Sequence, residues 1–182
     1  TSGIAPQQIR GVGCSAIGPC VLPVDEQCRP LRPGGILYGI DTRAVREIAD
    51  LEARFGREVI FQQNGNMLSA QSIGPKILWL KNHEPEIYAR AYKFVTSTTF
   101  LVARLTGRFV IDHITASFWA PPYDFHTNRW DPRFCEGIVE PERLPEIAWS
   151  SEIAGTVTAA AARATGLAEG TPVVVGSTDA AA

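Results

Sequence analysis

The chain carries the segment Gly170-Thr171-Pro172-Val173-Val174-Val175-Gly176-Ser177-Thr178-Asp179 close to its last residue, Ala182. A β-branched apolar run between Pro172 and Gly176 is typical of a buried parallel strand. The Ser-Thr-Asp that follows predicts a turn that opens a helix. Asp179 is therefore expected at the carboxyl end of a strand, which is the edge where open α/β sheets bind their ligands.

Two interpretations of Asp179 are open. A carboxylate at this edge can act as a general base that accepts a proton from a substrate hydroxyl. Ser, Thr and Asp are also common N-cap residues, so Asp179 can instead cap the predicted helix. The chain ends three residues after Asp179, directly after this strand and turn. This ending is expected of a piece of a longer protein and not of a complete domain.

Composition places the chain among soluble globular proteins. Its 182 residues are 45% hydrophobic and 20% charged, which is enough for one core with at most a small appendage. The formal net charge is −2 and the basic residues are scattered, so neither nucleic acid nor an anionic membrane is an expected partner. No apolar run has the length of a membrane span, and the first residues lack a signal pattern. We therefore expect a cytoplasmic protein.

The cysteines and histidines predict no metal site. The four cysteines form neither metal-type pairs nor a dense disulfide framework, which favours reduced, mostly buried thiols. The histidines are isolated from one another and from the cysteines, so a zinc site is not expected. These residues are Cys14, Cys20, Cys28, Cys135, His83, His113 and His126.

Four apolar segments predict one sheet that brings two aspartates together. They are residues 12–16, 20–24, 36–40 and 173–175, of which the second is an edge or bulged strand because it contains Pro23. Asp41 follows the third segment and Asp179 follows the fourth. Because the ends of neighbouring parallel strands meet at one edge, we expect both carboxylates in one cleft.

Asp41 has a second interpretation as a helix cap. Apolar residues recur at helical spacing from Ala44 to Phe55, and Gly56 ends the pattern. An Asp just before such a run is by default its N-cap. Both roles are compatible with one another.

Helical patterns dominate residues 74–107. They predict a first helix from Pro75, a second from Glu84 and a third over residues 98–105, and their aromatic residues fall at inward positions that indicate packing. A further helix is predicted over residues 159–165, between Thr158 and Gly166. Residues 59–72 contain Asn64-Gly65-Asn66 and several glutamines, which predicts a surface loop.

Several motifs, in order along the chain, resemble the FGGY family of carbohydrate kinases, and in particular its xylulokinase-like members. The likeness covers nearly all of residues 1–182. The matching segments are residues 21–25, 29–33, 36–43, 75–80, 83–86, 104–107, Asp112, 116–117, 123–124, 152–155 and 165–179.

The resemblance implies an α/β domain of the actin-like, ribonuclease-H-like type, with a mixed sheet and an inserted helical segment. Residues 1–182 would form the N-terminal domain of an ATP-dependent sugar kinase, without its opening phosphate-loop strand and without the C-terminal nucleotide domain. Asp179 matches the catalytic base, and Thr178 beside it is expected at the nucleotide. MgATP and a sugar or polyol are the expected ligands. The family's ATP-binding domain is the expected partner, and a homodimer is allowed.

The substrate side of the resemblance shows departures. Asp41 and Arg43 match an Asp-x-Arg motif that shapes the sugar cleft. Gly18 and Pro19, however, replace the Met-His pair that xylulokinases use on the sugar, so D-xylulose is not the expected substrate. No glycine-rich phosphate loop occurs, so tight ATP binding by residues 1–182 alone is not expected.

Two other functional classes remain for comparison. A non-catalytic sugar-binding or assembly module of the same fold is favoured by the lost Met-His pair. A carboxylate-dependent hydrolase is disfavoured because no second acid, metal cluster or Ser-His pair accompanies Asp179.

Overall fold

The computed structural model describes residues 3–181 of the chain. Short strands and helices alternate along it, with single 3-10 turns at Pro6–Gln8 and Pro141–Arg143. The helices are α1 (Val45–Phe55), α2 (Arg57–Asn64), α3 (Ile73–His83), α4 (Pro85–Arg90), α5 (Ser97–Thr106), α6 (His113–Ser117), α7 (Pro132–Cys135) and α8 (Ala159–Thr165). The strands are β1 (Ser15–Ala16), β2 (Cys20–Val24), β3 (Ile36–Leu37), β4 (Lys93–Val95), β5 (Val110–Asp112), β6 (Tyr123–Asp124), β7 (Arg129–Trp130), β8 (Glu146–Ala148), β9 (Ile153–Thr156), β10 (Pro172–Val174) and β11 (Ser177–Thr178).

A parallel pairing joins the early and late parts of the chain. Strand β1 pairs with β11, with Ser15 opposite Ser177, and an isolated bridge joins Val12 to Val173 in the same direction. On its other side β10 pairs antiparallel with β9. The apolar run at residues 173–175 is therefore central to this sheet, as its β-branched composition predicts.

Strand β2 lies at the centre of a separate antiparallel sheet, so the prediction of an edge or bulged strand from Pro23 is wrong. It pairs with β3 on one side and with β4 on the other. The prediction of one sheet from four segments is therefore wrong: two of the segments pair with each other, and the other two pair in this second sheet.

Two local predictions are wrong. Helix α1 begins at Val45 with Ala44 at its N-cap, so Asp41 does not cap it. The carboxylate of Asp41 instead accepts hydrogen bonds from Arg43, which closes a turn before the helix. Residues 59–64 belong to α2 where the surface loop 59–72 was predicted, and Gly65 ends this helix in the left-handed conformation with φ of 81°. The Asn-Gly pair marks a helix end here, not a loop interior.

The other helices follow the sequence pattern. Helix α5 is capped by the Thr96 side chain and ends at Gly107, and α8 is capped by Thr158 and ends at Gly166. Residues 179–181 form a turn after β11. The residue that would continue the predicted helix, Ala182, lies outside the described residues.

Aromatic residues of the segment 74–107 pack in the core, as predicted, although Phe94 lies in β4 and not in a helix. The largest core cluster packs α1 and α3 against β2, and the fully buried Trp119 is its largest side chain. Phe94 and Tyr88 belong to it, and Trp79 packs at its edge. In residues 3–181, none of the helices is both long enough and apolar enough to cross a membrane.

Candidate functional site

Asp179 lies in the turn directly after β11. Its backbone N–H donates to the carbonyl of Ala16 at 3.0 Å, which ties the turn to the end of β1. The Thr178 hydroxyl donates to Asp179 Oδ1 at 3.0 Å. Asp179 is exposed, and within residues 3–181 its side chain has no other hydrogen-bond partner. One carboxylate oxygen is thus open to solvent or to a ligand.

Gly18 and Pro19 lie against this turn. A Cβ atom on Gly18 would stand 2.6 Å from Thr178 Oγ1, so only glycine permits this close approach. Both residues are buried, whereas the neighbouring Ile17 side chain is exposed. The structure therefore brings Gly18 beside Thr178 and Asp179, while Ile17 has the more accessible side chain.

Buried polar contacts fix β11 from behind. The Ser177 hydroxyl donates to Asp112 Oδ2 at 2.8 Å, and the same oxygen accepts the N–H of Thr115 at the start of α6. Gly176 has a φ of +71°, and a Cβ atom there would lie 2.0 Å from the Cys14 carbonyl oxygen. Strand β11, which precedes Asp179, is consequently fixed in position by these buried contacts. Asp112 thus supports Asp179 through Ser177.

Asp41 and Arg43 line a second feature, an open groove of about 620 Å³. Arg43 donates its Nε–H to Asp41 Oδ1 at 2.8 Å and its backbone N–H to the same oxygen at 3.2 Å. The Arg43 guanidinium also lies over the Trp79 ring, 4.6 Å from the centroid. We call this feature the Arg43 groove; its lining is Gly35, Leu37, Ile40, Asp41, Thr42, Arg43 and Trp79.

Lys76 is a buried cation beside the Arg43 groove. Only 1% of its surface is exposed, and Nζ donates to the carbonyl of Leu37 at the end of β3. Lys76 and Asp41 both line a small cavity of about 40 Å³. Burial lowers the pKa of Lys76 to about 8, although the charge of Asp41 opposes this shift.

Asp41 stays ionised in this setting. Burial alone would raise its pKa, but the hydrogen bonds from Arg43 and the charges of Arg43 and Lys76 outweigh it and hold the pKa of Asp41 below its usual value. The three groups carry a formal charge of one positive unit, since two cations share one carboxylate. Asp41 and Arg43 place a carboxylate acceptor and guanidinium donors side by side in this groove.

The predicted site residues form two groups. One contains Gly18, Pro19, Thr178 and Asp179, and the other contains Asp41 and Arg43. Strand β2 links them, because it starts after Pro19 and pairs with β3, which leads to Asp41. Convergence of the two carboxylates in one cleft stays a prediction, since the premise of neighbouring parallel strands does not apply to Asp41.

Sequence analysis missed Lys76, although a signal was present. Lys76 is three residues after Ile73 and four before Leu80, and both are fully buried on α3. A lysine on the inward face of a helix needs a partner for its charge. Applied to residues 73–80, the helical periodicity would have identified it.

The described residues do not assemble a metal site of their own. Within residues 3–181, no group of three His, Cys, Asp or Glu side chains is arranged to hold a metal ion. Cys20, Cys28 and Cys135 are buried, and burial raises the pKa of each thiol.

Comparison with known proteins shows the family to which this chain and its fold belong. The model of the FGGY family of carbohydrate kinases, N-terminal domain, matches residues 1–182. The chain therefore belongs to the FGGY family of carbohydrate kinases. Its mixed α/β fold is that of sugar kinases with the actin-like ATPase fold.

Individual relatives are similar over most of this chain but are much longer. The probable L-xylulose kinase of Pasteurella multocida (strain Pm70) is 32% identical over 98% of this chain and 37% of its own length. The autoinducer-2 kinase of Klebsiella pneumoniae subsp. pneumoniae is 31% identical over 84% of this chain and 31% of its own length. The crystal structure of xylulose kinase from Rhodospirillum rubrum superposes with a TM-score of 0.87 at 27% identity, over 94% of this chain and 35% of that one. The chain thus spans about a third of the length of these relatives.

Proposed function

We propose that this chain is the sugar-binding part of an ATP-dependent carbohydrate kinase in which Asp179 is the general base. The single observation that carries the proposal is the state of Asp179, an exposed carboxylate at the end of a parallel strand pair with one hydroxyl donor. A structural ion pair would engage this carboxylate, and within residues 3–181 Asp179 has no such partner. An acceptor for a substrate proton needs an accessible oxygen on a fixed backbone.

In the proposed reaction, a hydroxyl oxygen of a sugar or polyol attacks the terminal phosphorus of ATP. Its proton passes to the open carboxylate oxygen of Asp179, and the bond from that phosphorus to the bridging oxygen breaks, so that ADP leaves with the electron pair. Phosphoryl transfer depends mainly on positioning and on charge neutralisation. One well-placed carboxylate is therefore a sufficient contribution from this side of the reaction.

The Arg43 groove is the proposed place for the remainder of the sugar. Asp41 offers carboxylate acceptors, and Arg43 offers N–H donors, which together suit the hydroxyls of a polyol. Gly18 and Pro19 contribute backbone shape beside Asp179, because neither can offer an imidazole contact. We therefore propose a sugar or polyol other than D-xylulose as the substrate.

ATP enters this proposal as a substrate, with magnesium as its counterion. The sequence contains no glycine-rich phosphate loop, so both would be held mainly by the nucleotide domain that the family resemblance implies. The Thr178 hydroxyl is engaged by Asp179, so its proposed contact with the nucleotide requires that hydroxyl to be shared. The cytoplasmic location and the homodimer stay predictions.

A non-catalytic sugar-binding module of the same fold is the second candidate. The observation in its favour is that Gly18 and Pro19 are buried and carry no polar side chain where xylulokinases use Met and His. Under this alternative, Asp179 would have no part in proton transfer.

The test is Asp179→Asn in the full-length protein. Asn keeps the size of the side chain and one acceptor but removes the basic lone pair, so kcat should fall by roughly two to four powers of ten. KM for the sugar should stay within about threefold, since Asn still fills the same space. The measurements are kcat and KM for the best substrate in a panel of sugars and polyols, with a melting curve for each variant.

Asp50→Asn is the matched control, because Asp50 is an exposed carboxylate on α1 away from the proposed chemistry. It should leave kcat unchanged. Asn caps helices about as well as Asp does, so an unchanged kcat in Asp179→Asn would return Asp179 to a capping role. A wild-type protein that binds sugar but transfers no phosphate would favour the non-catalytic module.

A further inference from the structure

Trp79 lies at the Arg43 groove with its ring already in contact with two other side chains. The guanidinium carbon of Arg43 is 4.6 Å from the centroid of the indole ring. The imidazole of His83 stacks on the same indole at 4.8 Å, with an angle of 12° between the two planes. An aromatic side chain at a sugar groove is commonly expected to stack on the sugar. Here the indole is instead in contact with the Arg43 guanidinium.

The stacked imidazole of His83 limits the movement of the Trp79 ring. His83 is one helical turn after Trp79 on α3, and its Nδ1 lies 3.1 Å from the Trp79 carbonyl oxygen and 3.6 Å from Glu47 Oε1. Glu47 is buried on α1, and Asn82 donates to the same Oε1 at 3.3 Å. The position of the imidazole is thus set by two helices, and the imidazole supports the indole.

Arg43 has its donors arranged for a ligand. Its Nε–H is taken by Asp41 at 2.8 Å, which orients the plane of the guanidinium. Within residues 3–181 the two terminal Nη groups have no hydrogen-bond acceptor, and the side chain is partly exposed in the Arg43 groove. A long, flexible arginine gains affinity for a ligand when its planar fork is held in place before binding.

We propose that Trp79 is a positioning residue that holds the Arg43 guanidinium in the orientation in which its free N–H groups meet the sugar. This inference rests on the proposed function, because it assigns the Arg43 groove to the sugar. Trp79 acts through Arg43 and makes no stacking contact with the sugar ring. The cation–π contact and the ion pair with Asp41 are the two restraints that define this orientation.

The experiment is a double-mutant cycle on the sugar KM of the full-length protein, with Trp79→Leu, Arg43→Leu and the double variant. Arg43→Leu should raise KM by about tenfold or more, because it removes the donors. Trp79→Leu should raise KM by about threefold to tenfold, the worth of a cation–π contact. In the double variant, KM should equal that of Arg43→Leu, because Trp79 has nothing left to position. The value of kcat should change less than KM in all three.

Two further variants complete the design. Trp79→Phe keeps an aromatic face under the guanidinium and should restore most of the affinity, which also keeps the test valid if Trp79→Leu folds poorly. Trp149→Leu is the matched control, since Trp149 is 58% exposed and contacts another histidine ring, His113, at 4.2 Å. Its KM should be that of the wild type.

The outcomes separate this inference from the proposed function. If the fold increase in KM of the double variant equals the product of the fold increases in the two single variants, Trp79 contacts the sugar itself. That result would overturn the positioning role. A wild-type KM in Trp79→Leu would overturn it as well. If the wild-type protein phosphorylates no sugar or polyol, the proposed function fails first, and the inference falls with it.

Discussion

The turn that carries Asp179 is held by backbone groups, whereas the Arg43 groove is held by side chains. In the turn, the N–H of Asp179 bonds to Ala16, and glycines at positions 18 and 176 let two chain segments touch. In the groove, Asp41, Arg43 and Trp79 restrain one another through an ion pair and a ring contact. In the proposed function, Asp179 needs a fixed position as a general base, and the Arg43 groove needs side-chain groups that can exchange their contacts for those of a sugar.

This difference predicts how each region fails. A Cβ atom added to Gly176 would lie 2.0 Å from the Cys14 carbonyl oxygen, which leaves no room for a methyl group, so a substitution there acts on the whole strand pair. A side-chain network loses one contact at a time. Steric changes should therefore damage the Asp179 turn severely, while truncations should weaken the Arg43 groove in steps.

The largest effect on stability is expected for Gly176→Ala. The new Cβ atom would lie 2.0 Å from the Cys14 carbonyl oxygen, and φ at this position is +71°. Backbone strain of about 1–2 kcal/mol and separation of two packed strands should together cost about 3–5 kcal/mol of unfolding free energy. Urea unfolding of the full-length protein measures this cost.

Gly166→Ala is the matched control for that prediction. Gly166 has a similar φ of +79°, but nothing lies within 4 Å of its added Cβ atom. Its cost should be only the strain, about 1–2 kcal/mol. Equal losses in the two variants would show that the close approach of Gly176 to Cys14 does not restrain the turn.

The sequence predicted the strands and helices of this fold better than it predicted which strands pair with one another. The β-branched run at 173–175, the end of α5 at Gly107 and the limits of α8 between Thr158 and Gly166 are local signals, and the structure confirms them. The pairing of β2 with β3 and β4, apart from β1, depends on contacts between distant residues that no local pattern encodes. Asn64-Gly65 misled because the same dipeptide suits both a loop and a helix end.

The same distinction applies to the candidate site. Asp179 and Asp41 were predicted because each follows a predicted strand, and Arg43 was predicted from the Asp-x-Arg motif of the family resemblance. The contact of Arg43 with Trp79 and the burial of Lys76 were not found, because they arise where β3, α1 and α3 meet. Side-chain networks between elements are what the sequence leaves open here.

A second prediction concerns Lys76 and the pH dependence of stability near the Arg43 groove. The pKa of Lys76 is lowered from 10.5 to about 8 in the folded protein. Between pH 8 and 10.5 the unfolded chain therefore binds more protons than the folded one, so this residue makes stability rise with pH in that window. Relative to Lys76→Met, the wild type should gain about 3 kcal/mol across it.

The measurement is the urea midpoint of both proteins at pH 7 and at pH 10. Other titrating groups contribute to both curves and cancel in the difference. Lys93→Met is a suitable comparison, because burial lowers the pKa of Lys93 as well but its ammonium is part-exposed beside Glu142. If the difference in urea midpoint between the wild type and Lys76→Met does not vary with pH, Lys76 keeps its charge in the folded protein.

The smallest expected effect tests the one side-chain contact of the Asp179 turn. The Thr178 hydroxyl donates to Asp179 Oδ1 at 3.0 Å and leaves the other carboxylate oxygen open. Thr178→Val keeps the shape and the branching of the side chain but removes this donor. A hydrogen bond of this kind contributes about 0.5–1.5 kcal/mol, so kcat should fall by about twofold to tenfold while the sugar KM changes little. Thr178→Ser keeps the hydroxyl and should retain most of the activity. The backbone contacts of Asp179 persist in both variants, so the side chain should keep its position and lose only its fixed orientation.

A loss in Thr178→Val as large as that expected for Asp179→Asn would mean that the hydroxyl itself takes part in the transfer, as a contact to the nucleotide would require. Equal activity of Thr178→Val and the wild type would mean that backbone groups alone orient the carboxylate.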